Sequence, residues 1–427
     1  MAVAILFLVL ILMLALGVPI AVALGLGTIA AIFVDGTIPI ALVAQRMFTS
    51  NDSISMMAVP FFMLAGSIMT AGGISKRLVD FSNTLVGWIT GGLGMVATLT
   101  AMFFAAISGS SSATAAAVGG TLIPEMKREG YDTEFSASVV AAASTTGIVI
   151  PPSVSMVLYA VAAGVSVGTL FLAGFIPGIL MGVAVMIVLH HQAKKRGYPA
   201  SEKSSPREIV RTFFSSVWGL LTPVIIIGGI YGGIFTATEA AAASCIYALI
   251  VSAFIYRELH LKDLPKIFMD SVLSTAVVMF VMNAAGLFSW LITAYRVPQL
   301  VTAFFLSVTD NKYVMLFLVN ILLLIVGTFL NASSAVIILA PILVPLLSAM
   351  NVDPILLGII MVVNLAVGCI TPPVGVSLFV VQTISGTPFN VICKNIVPYL
   401  IALILVLLLI TYVPVLSLGL PKLLGAM

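Results

Sequence analysis

Apolar residues run through this chain in stretches of about twenty, long enough to cross a bilayer as helices, with short polar segments between them. The pattern predicts a pair of helices over 2–16 and 19–34, broken at Gly17-Val18-Pro19, and a span over 54–72 that carries Pro60. An amphipathic piece follows at 74–82, with Leu78, Val79 and Phe81 on one face beside Lys76, Arg77 and Asp80. Residues 88–128 are too long for one comfortable span and break at Ser108-Gly109-Ser110-Ser111-Ser112, so they read as a re-entrant hairpin of two half-helices. Residues 133–165 predict a helix interrupted between Gly147 and Pro152. Proline removes a helix N–H and clashes with the preceding turn, and glycine permits the unwound backbone beside it. A span over 168–192 then runs into a basic linker at 190–211.

The second half repeats this order. Spans are predicted at 213–234, 238–256 and 268–290, then an arm with Arg296 and Pro298, a second hairpin over 312–349 with its tip at 327–334, an interrupted helix over 353–384 and a last span over 390–416. Pro124 and Pro345, Gly147 and Gly368, Pro151 and Pro372, and Pro177 and Pro398 are all 221 residues apart. The same offset sets Ser110 on Asn331 and Ser112 on Ser333. Paired hydrophobic segments broken by Gly and Pro in two halves point to a transporter's binding site.

Composition makes the class firm. Of 427 residues, 61% are hydrophobic and 8% charged, against roughly 25% charged in a soluble domain. The expected fold is an all-α polytopic membrane protein of two repeats, each with a re-entrant hairpin and an interrupted helix. The expected segments are 1–87, 88–165, 166–211, 212–311, 312–384 and 385–427. The first and fourth hold outer helices and an arm, the second and fifth the hairpins with their broken helices, the third a span and the linker, and the sixth the last span. The N-terminal apolar run has no obvious cleavage site and is expected to be mature structure.

Charge orients the chain. With the linker in the cytoplasm, 14 of the 18 Lys and Arg residues fall on that side; Arg46, Arg296, Lys312 and Lys422 fall outside. The same trace makes the hairpins enter from opposite faces, so that the repeats are of inverted topology and both termini lie outside. Nucleic-acid binding has no support. Cys245, Cys369 and Cys393 lack CxxC spacing, and His190, His191 and His260 sit among charged interfacial residues, so neither type completes a metal site. The lack of HExxH, GxSxG or an intramembrane Asp pair weighs against an enzyme.

A backbone that leaves the helix at membrane depth must be satisfied by protein, water or ligand. Each Ser-, Thr- or Asn-rich tip can face an unwound Gly-x-x-x-Pro-Pro turn, offering hydroxyl, amide and carbonyl oxygens suited to a hard cation. Two halves predict two such sites. A proton carrier would need a buried Asp, Glu or His, and neither tip nor the Gly-to-Pro break of either interrupted helix has one. Sodium is therefore the expected coupling ion. The half-helices after the tips begin near Ser112 and Ser333 with free N–H groups, which attract carboxylates, so the expected solute is a small organic anion. Arg296, in an outside-facing arm, is a further candidate for the anion, for a partner or for an interfacial snorkelling role, as is Ser153 for the anion.

At Gly17-Val18-Pro19-Ile20-Ala21, Val59-Pro60 through Gly66, Ser108 through Thr114 and both double-proline turns, the chain resembles the large membrane subunit of tripartite ATP-independent periplasmic (TRAP) transporters. The resemblance spans essentially the whole chain and implies an elevator-type ion-transporter fold in the bacterial inner membrane, where the outside termini of the charge trace would be periplasmic. The implied partners are a small four-helix membrane subunit and a periplasmic substrate-binding protein, with sodium as the coupling ion. Carried onto this sequence, the first sodium site would use Ser108, Ser110, Ser111 or Ser112 with Gly147, Val149 and Pro151. The second would use Gly327, Thr328, Asn331 and Ser333 with Gly368, Thr371 and Pro372. Overall similarity favours sialic acid as the solute, with a C4-dicarboxylate or another organic acid as alternatives. A self-sufficient sodium/dicarboxylate carrier is the remaining alternative, although the Ser-Asn-Thr tip typical of such carriers is absent.

Overall fold

The computed structural model describes residues 2–50 and 52–427, and among them the chain is helical without a β-strand. The first half runs α1 (Ala2–Ala15), α2 (Ile20–Asp35), α3 (Ala41–Thr49), α4 (Ala58–Ala71) and α5 (Ile74–Val86). Then come α6 (Gly92–Ser108), α7 (Ser111–Arg128), α8 (Thr133–Ser144), α9 (Thr146–Val149), α10 (Val154–Ala163) and α11 (Val167–Arg196). The second half opens with α12 (Pro206–Tyr231), α13 (Ala237–Ile250), α14 (Leu264–Ala294) and α15 (Val297–Val308). It continues with α16 (Lys312–Phe329), α17 (Ala332–Ser348), α18 (Pro354–Gly368), α19 (Val376–Ser385), α20 (Phe389–Tyr412) and α21 (Val415–Leu423). Eight helical segments among the described residues are long and apolar enough to cross a membrane. The protein is a multi-pass membrane protein.

Both expected hairpins break where the polar residues stand. Gly109 ends α6 with φ +61°, and Ser110 caps α7 by accepting from the Ala113 N–H at 3.5 Å. In the second half Leu330 is extended, and Asn331 Oδ1 accepts from the Ser334 N–H at 2.8 Å to start α17. Helix bounds recur at the sequence offset: Ser108 and Phe329, Ser111 and Ala332, and Thr133 and Pro354 lie 221 residues apart. Both interrupted helices open around a double proline, Pro151-Pro152 and Pro372-Pro373.

Two sets of helices pack chiefly within themselves. One comprises α1–α4 with α12–α14, and the other α6–α11 with α16–α21; α5 and α15 each touch both. α8 to α10 run through the middle of the second set, and Ala137, Ala141, Ala142 and Ala143 are fully buried there. Small side chains let helix backbones approach closely where lipid supplies no hydrophobic drive. The amphipathic expectation for α5 holds: Leu78, Val79 and Phe81 are buried, and Ser216 of α12 donates to the Arg77 carbonyl at 3.0 Å.

Two connections differ from the sequence reading. The linker is shorter than 190–211, because α11 continues to Arg196 and Ser205 caps α12 directly before Pro206. Long basic side chains can extend a helix past the apolar core, and proline is suited to the first helical position. The arm after Arg296 is a helix, α15, rather than a short connector.

The linker is fastened to the first hairpin. Ser201 N–H donates to the Gly87 carbonyl at 2.9 Å, and Gly92 N–H to the Pro199 carbonyl at 3.3 Å. Beside it, Arg196 and the Tyr198 hydroxyl both donate to Asp132 Oδ2 at 2.6 Å. The Tyr198 hydrogen bond, followed by Arg196, holds the Asp132 carboxyl below the ordinary carboxylate range. Its contribution is present above the unfolded value of about 3.9 and is lost as pH falls through the depressed folded value. Asp132→Asn is therefore expected to cost less than about 1 kcal/mol at pH 7, since both partners are partly exposed. Thermal unfolding in detergent should show the two proteins converging in acid.

Candidate functional site

Both tips open onto one cavity of about 1190 Å³. Residues 108–113 line it from the first hairpin, and Asn331, Ala332, Ser333 and Ser334 from the second. α4 contributes Ser67 and Thr70, and α14 contributes a face that begins with Asp263, Lys266 and Asp270.

The first tip is a compact array of oxygens. Ser108 Oγ and Thr114 Oγ1 are 2.9 Å apart, Thr114 donates to the Ser110 carbonyl at 2.8 Å, and Ser110 Oγ lies 3.2 Å from Ser112 Oγ. Gly147 of α9 backs this array so closely that a Cβ there would lie 2.5 Å from Thr114 Oγ1 and 2.7 Å from the Ser110 carbonyl oxygen. A Cβ at Gly109 would lie 2.8 Å from the Pro152 carbonyl oxygen. The tip therefore faces its own broken helix, and it does so only because both contact positions are glycine.

The second tip repeats the relation with different atoms. A Cβ at Gly368 would lie 2.6 Å from Gly327 Cα, so these backbones meet directly. The Thr328 carbonyl accepts from the Gly375 N–H at 3.2 Å, beyond the double proline. Thr371 Oγ1 donates to its own helix at Val367, and Pro372 is half-buried.

The two halves are also cross-braced. Ser111 Oγ is 2.6 Å from Ser377 Oγ of α19 and 3.1 Å from Ser144 Oγ of α8. In return, Ser333 Oγ is 3.2 Å from Ser155 Oγ of α10. Each tip thus bonds the helix that follows the other half's double proline. Ser155 and Ser377 were not among the sequence candidates. Their signal was a polar residue within four positions after each double proline, easily read as helix packing.

Most sequence candidates gather here, and some do not. Ser108, Ser110, Ser111, Ser112, Asn331 and Ser333 line the cavity, and Gly147, Gly327, Thr328 and Gly368 back the tips. Val149 and Pro151 are buried, and the Val149 carbonyl lies against Gly174 of α11. Ser153 is fully buried off the cavity, where it caps α10 by accepting from the Met156 N–H at 3.4 Å. Arg296 is exposed between α14 and α15 and does not line the cavity. Among the described residues no group of His, Cys, Asp or Glu is placed to hold a metal ion. What the tips offer is neutral oxygens and helix N-termini, chemistry that suits a weakly held cation and an anion together.

The family described as "Tripartite ATP-independent periplasmic transporter, DctM component" matches residues 7–416. The chain belongs to this family. It is 44% identical over 382 residues to the C4-dicarboxylate TRAP transporter large permease protein of Pseudomonas aeruginosa, covering 90% of each chain. It is 39% identical over 395 residues to the sialic acid TRAP transporter large permease protein of Vibrio cholerae, covering 92% of each. In fold it is similar to the YdaH transporter of Alcanivorax borkumensis, with TM-score 0.62, 15% identity and coverage of 90% of this chain and 89% of that one. As a TRAP large permease, this chain is a transport subunit, and its family implies a small membrane subunit and a periplasmic binding protein as partners.

Proposed function

We propose that this TRAP permease imports a small organic acid into the cytoplasm, driven by sodium, from a periplasmic binding protein. The observation that carries the reading is the pair of charge-free oxygen tips, one from each half, on a single cavity. Sodium is cargo, and the neutral oxygens around Ser108, Ser110 and Thr114, and around Thr328, Asn331 and Ser333, are its candidate ligands. The relatives carry the names of different acids, one of them the sulfonate isethionate, so the solute class is a small organic anion; sialic acid and a C4-dicarboxylate fit it equally. Ser112 and Ser333 stand in the first turns of α7 and α17, where N–H groups lack intrahelical acceptors and favour a carboxylate.

The self-packed helix sets suit a scaffold of α1–α4 and α12–α14 and a moving body of α6–α11 and α16–α21, joined by the arms α5 and α15. Sodium would order the tips, the anion would dock between them, and the body would slide along α4 and α14 as an elevator between inverted repeats. The cavity rim at Asp263, Lys266 and Asp270 lies in the segment that the basic-residue trace assigns to the cytoplasm, which supports an inward-facing arrangement; the same trace would put both termini in the periplasm.

Uptake of radiolabelled N-acetylneuraminate and succinate into proteoliposomes holding this chain and its small partner tests the reading. Uptake should need both an inward sodium gradient and the binding protein. Sodium-driven uptake without the binding protein would instead make the chain a self-sufficient carrier. Ser112→Pro should fold, because proline is tolerated in a helix's first turn, yet lose a donor to the anion. Losing a hydrogen bond to a charged group costs roughly 1.5–3 kcal/mol, so uptake should fall about 10–100-fold. Normal uptake by that variant would remove this N–H from the mechanism.

A further inference from the structure

The wall of the cavity that faces the tips is one side of α14. Asp263, Lys266, Asp270, Ser274, Val277 and Val281 recur every three or four residues and all line it. The stripe is graded along the helix. Its first two turns carry charge, Ser274 follows, and valines continue from there. Lys266 is the one basic side chain on the cavity wall among the described residues, and among them it enters no ion pair. It is exposed, whereas Asp263 is engaged by the His260 N–H at 3.2 Å.

An anion leaving the tips by this route must pass two carboxylates, one turn to either side of Lys266. Without a cation between them, the rim would repel the solute. From this placement we infer that Lys266 is a positioning residue for release: it offsets Asp263 and Asp270 and so keeps the rim from slowing a carboxylate on its way to the cytoplasm. The inference rests on the organic-acid reading above. Because the rim is solvated, the effect works through long-range attraction and is screened by salt, with a Debye length of about 10 Å at 0.1 M. A packing role would have neither property.

The test is turnover in proteoliposomes of the full chain with its small partner and saturating binding protein, using succinate and N-acetylneuraminate. Sodium is held constant while choline chloride sets the ionic strength. At low ionic strength, Lys266→Gln should reduce turnover about three- to tenfold and Lys266→Glu further, while Lys266→Arg stays near wild type. Adding Asp270→Asn to Lys266→Gln should restore most of the loss, and high salt should compress the differences. Wild-type turnover by Lys266→Glu at low ionic strength overturns the inference. So does a loss that arginine, Asp270→Asn and salt all leave unchanged, since that marks a packing role. If the wild type moves neither of these two acids, nor isethionate or 2,3-diketo-L-gulonate, the organic-acid reading itself fails and takes this inference with it.

Discussion

Alanine at Gly368 is expected to abolish sodium-driven uptake and to destabilise the purified protein by about 1–3 kcal/mol, the usual cost of overpacking. The added Cβ would meet three atoms of Gly327, its Cα and carbonyl carbon at 2.6 Å and its carbonyl oxygen at 2.8 Å. All are backbone, so no side chain can rotate aside, and α16 and α18 must separate along their seam. The reciprocal change should be milder. A Cβ at Gly327 would lie 3.1 Å from Gly368 Cα and 3.3 Å from the end of the flexible Leu365 side chain. The seam also has a second anchor one to two turns before these glycines, where buried Asn364 donates to Asn320 Oδ1 at 2.7 Å and Asn320 to Thr411 at 3.1 Å. That network should keep the Gly327→Ala protein folded. Thermal unfolding in detergent and uptake in proteoliposomes together check the order; equal effects of the two substitutions would refute a seam set by backbone contact.

Alanine at Gly147 should leave the fold largely intact and lower the apparent sodium affinity of uptake about 10–100-fold, as expected when liganding atoms are displaced by about an ångström. Its Cβ would collide with Thr114 Oγ1 and with the Ser110 carbonyl. Thr114 can turn away, but the carbonyl belongs to the backbone that caps α7, so the first tip must shift. Thr114→Val added to Gly147→Ala should therefore fail to rescue. A sodium titration of uptake reads the effect directly. If the two tips hold separate ions, the titration should also lose cooperativity while the second tip still binds. An unchanged titration would separate Gly147 from the sodium machinery.

The backbone devices of this protein were legible in its sequence because they depend on residue type alone. The capping residues Ser110 and Asn331 and the double prolines interrupt helices locally, wherever the chain goes afterwards, so their 221-residue spacing foretold two matched tips and two interrupted helices. The apolar runs fixed the class in the same way, since 61% hydrophobic residues cannot be solvated as a globule. What the sequence left open was which residues meet. Ser377 and Ser155 are single serines in apolar helices, and only packing of the two halves brings them to Ser111 and Ser333. Lys266 falls between the spans expected at 238–256 and 268–290, and only the start of α14 turned it onto the cavity rim, while Ser153 was turned inward as a cap and Arg296 was left outside. Side-chain direction on a helix is set by the register of its neighbours, a property of the assembled bundle that no local stretch contains. The sequence by itself thus determined where the backbone opens and what kind of atoms it exposes; the tertiary structure decided which openings share a cavity and which side chains face it.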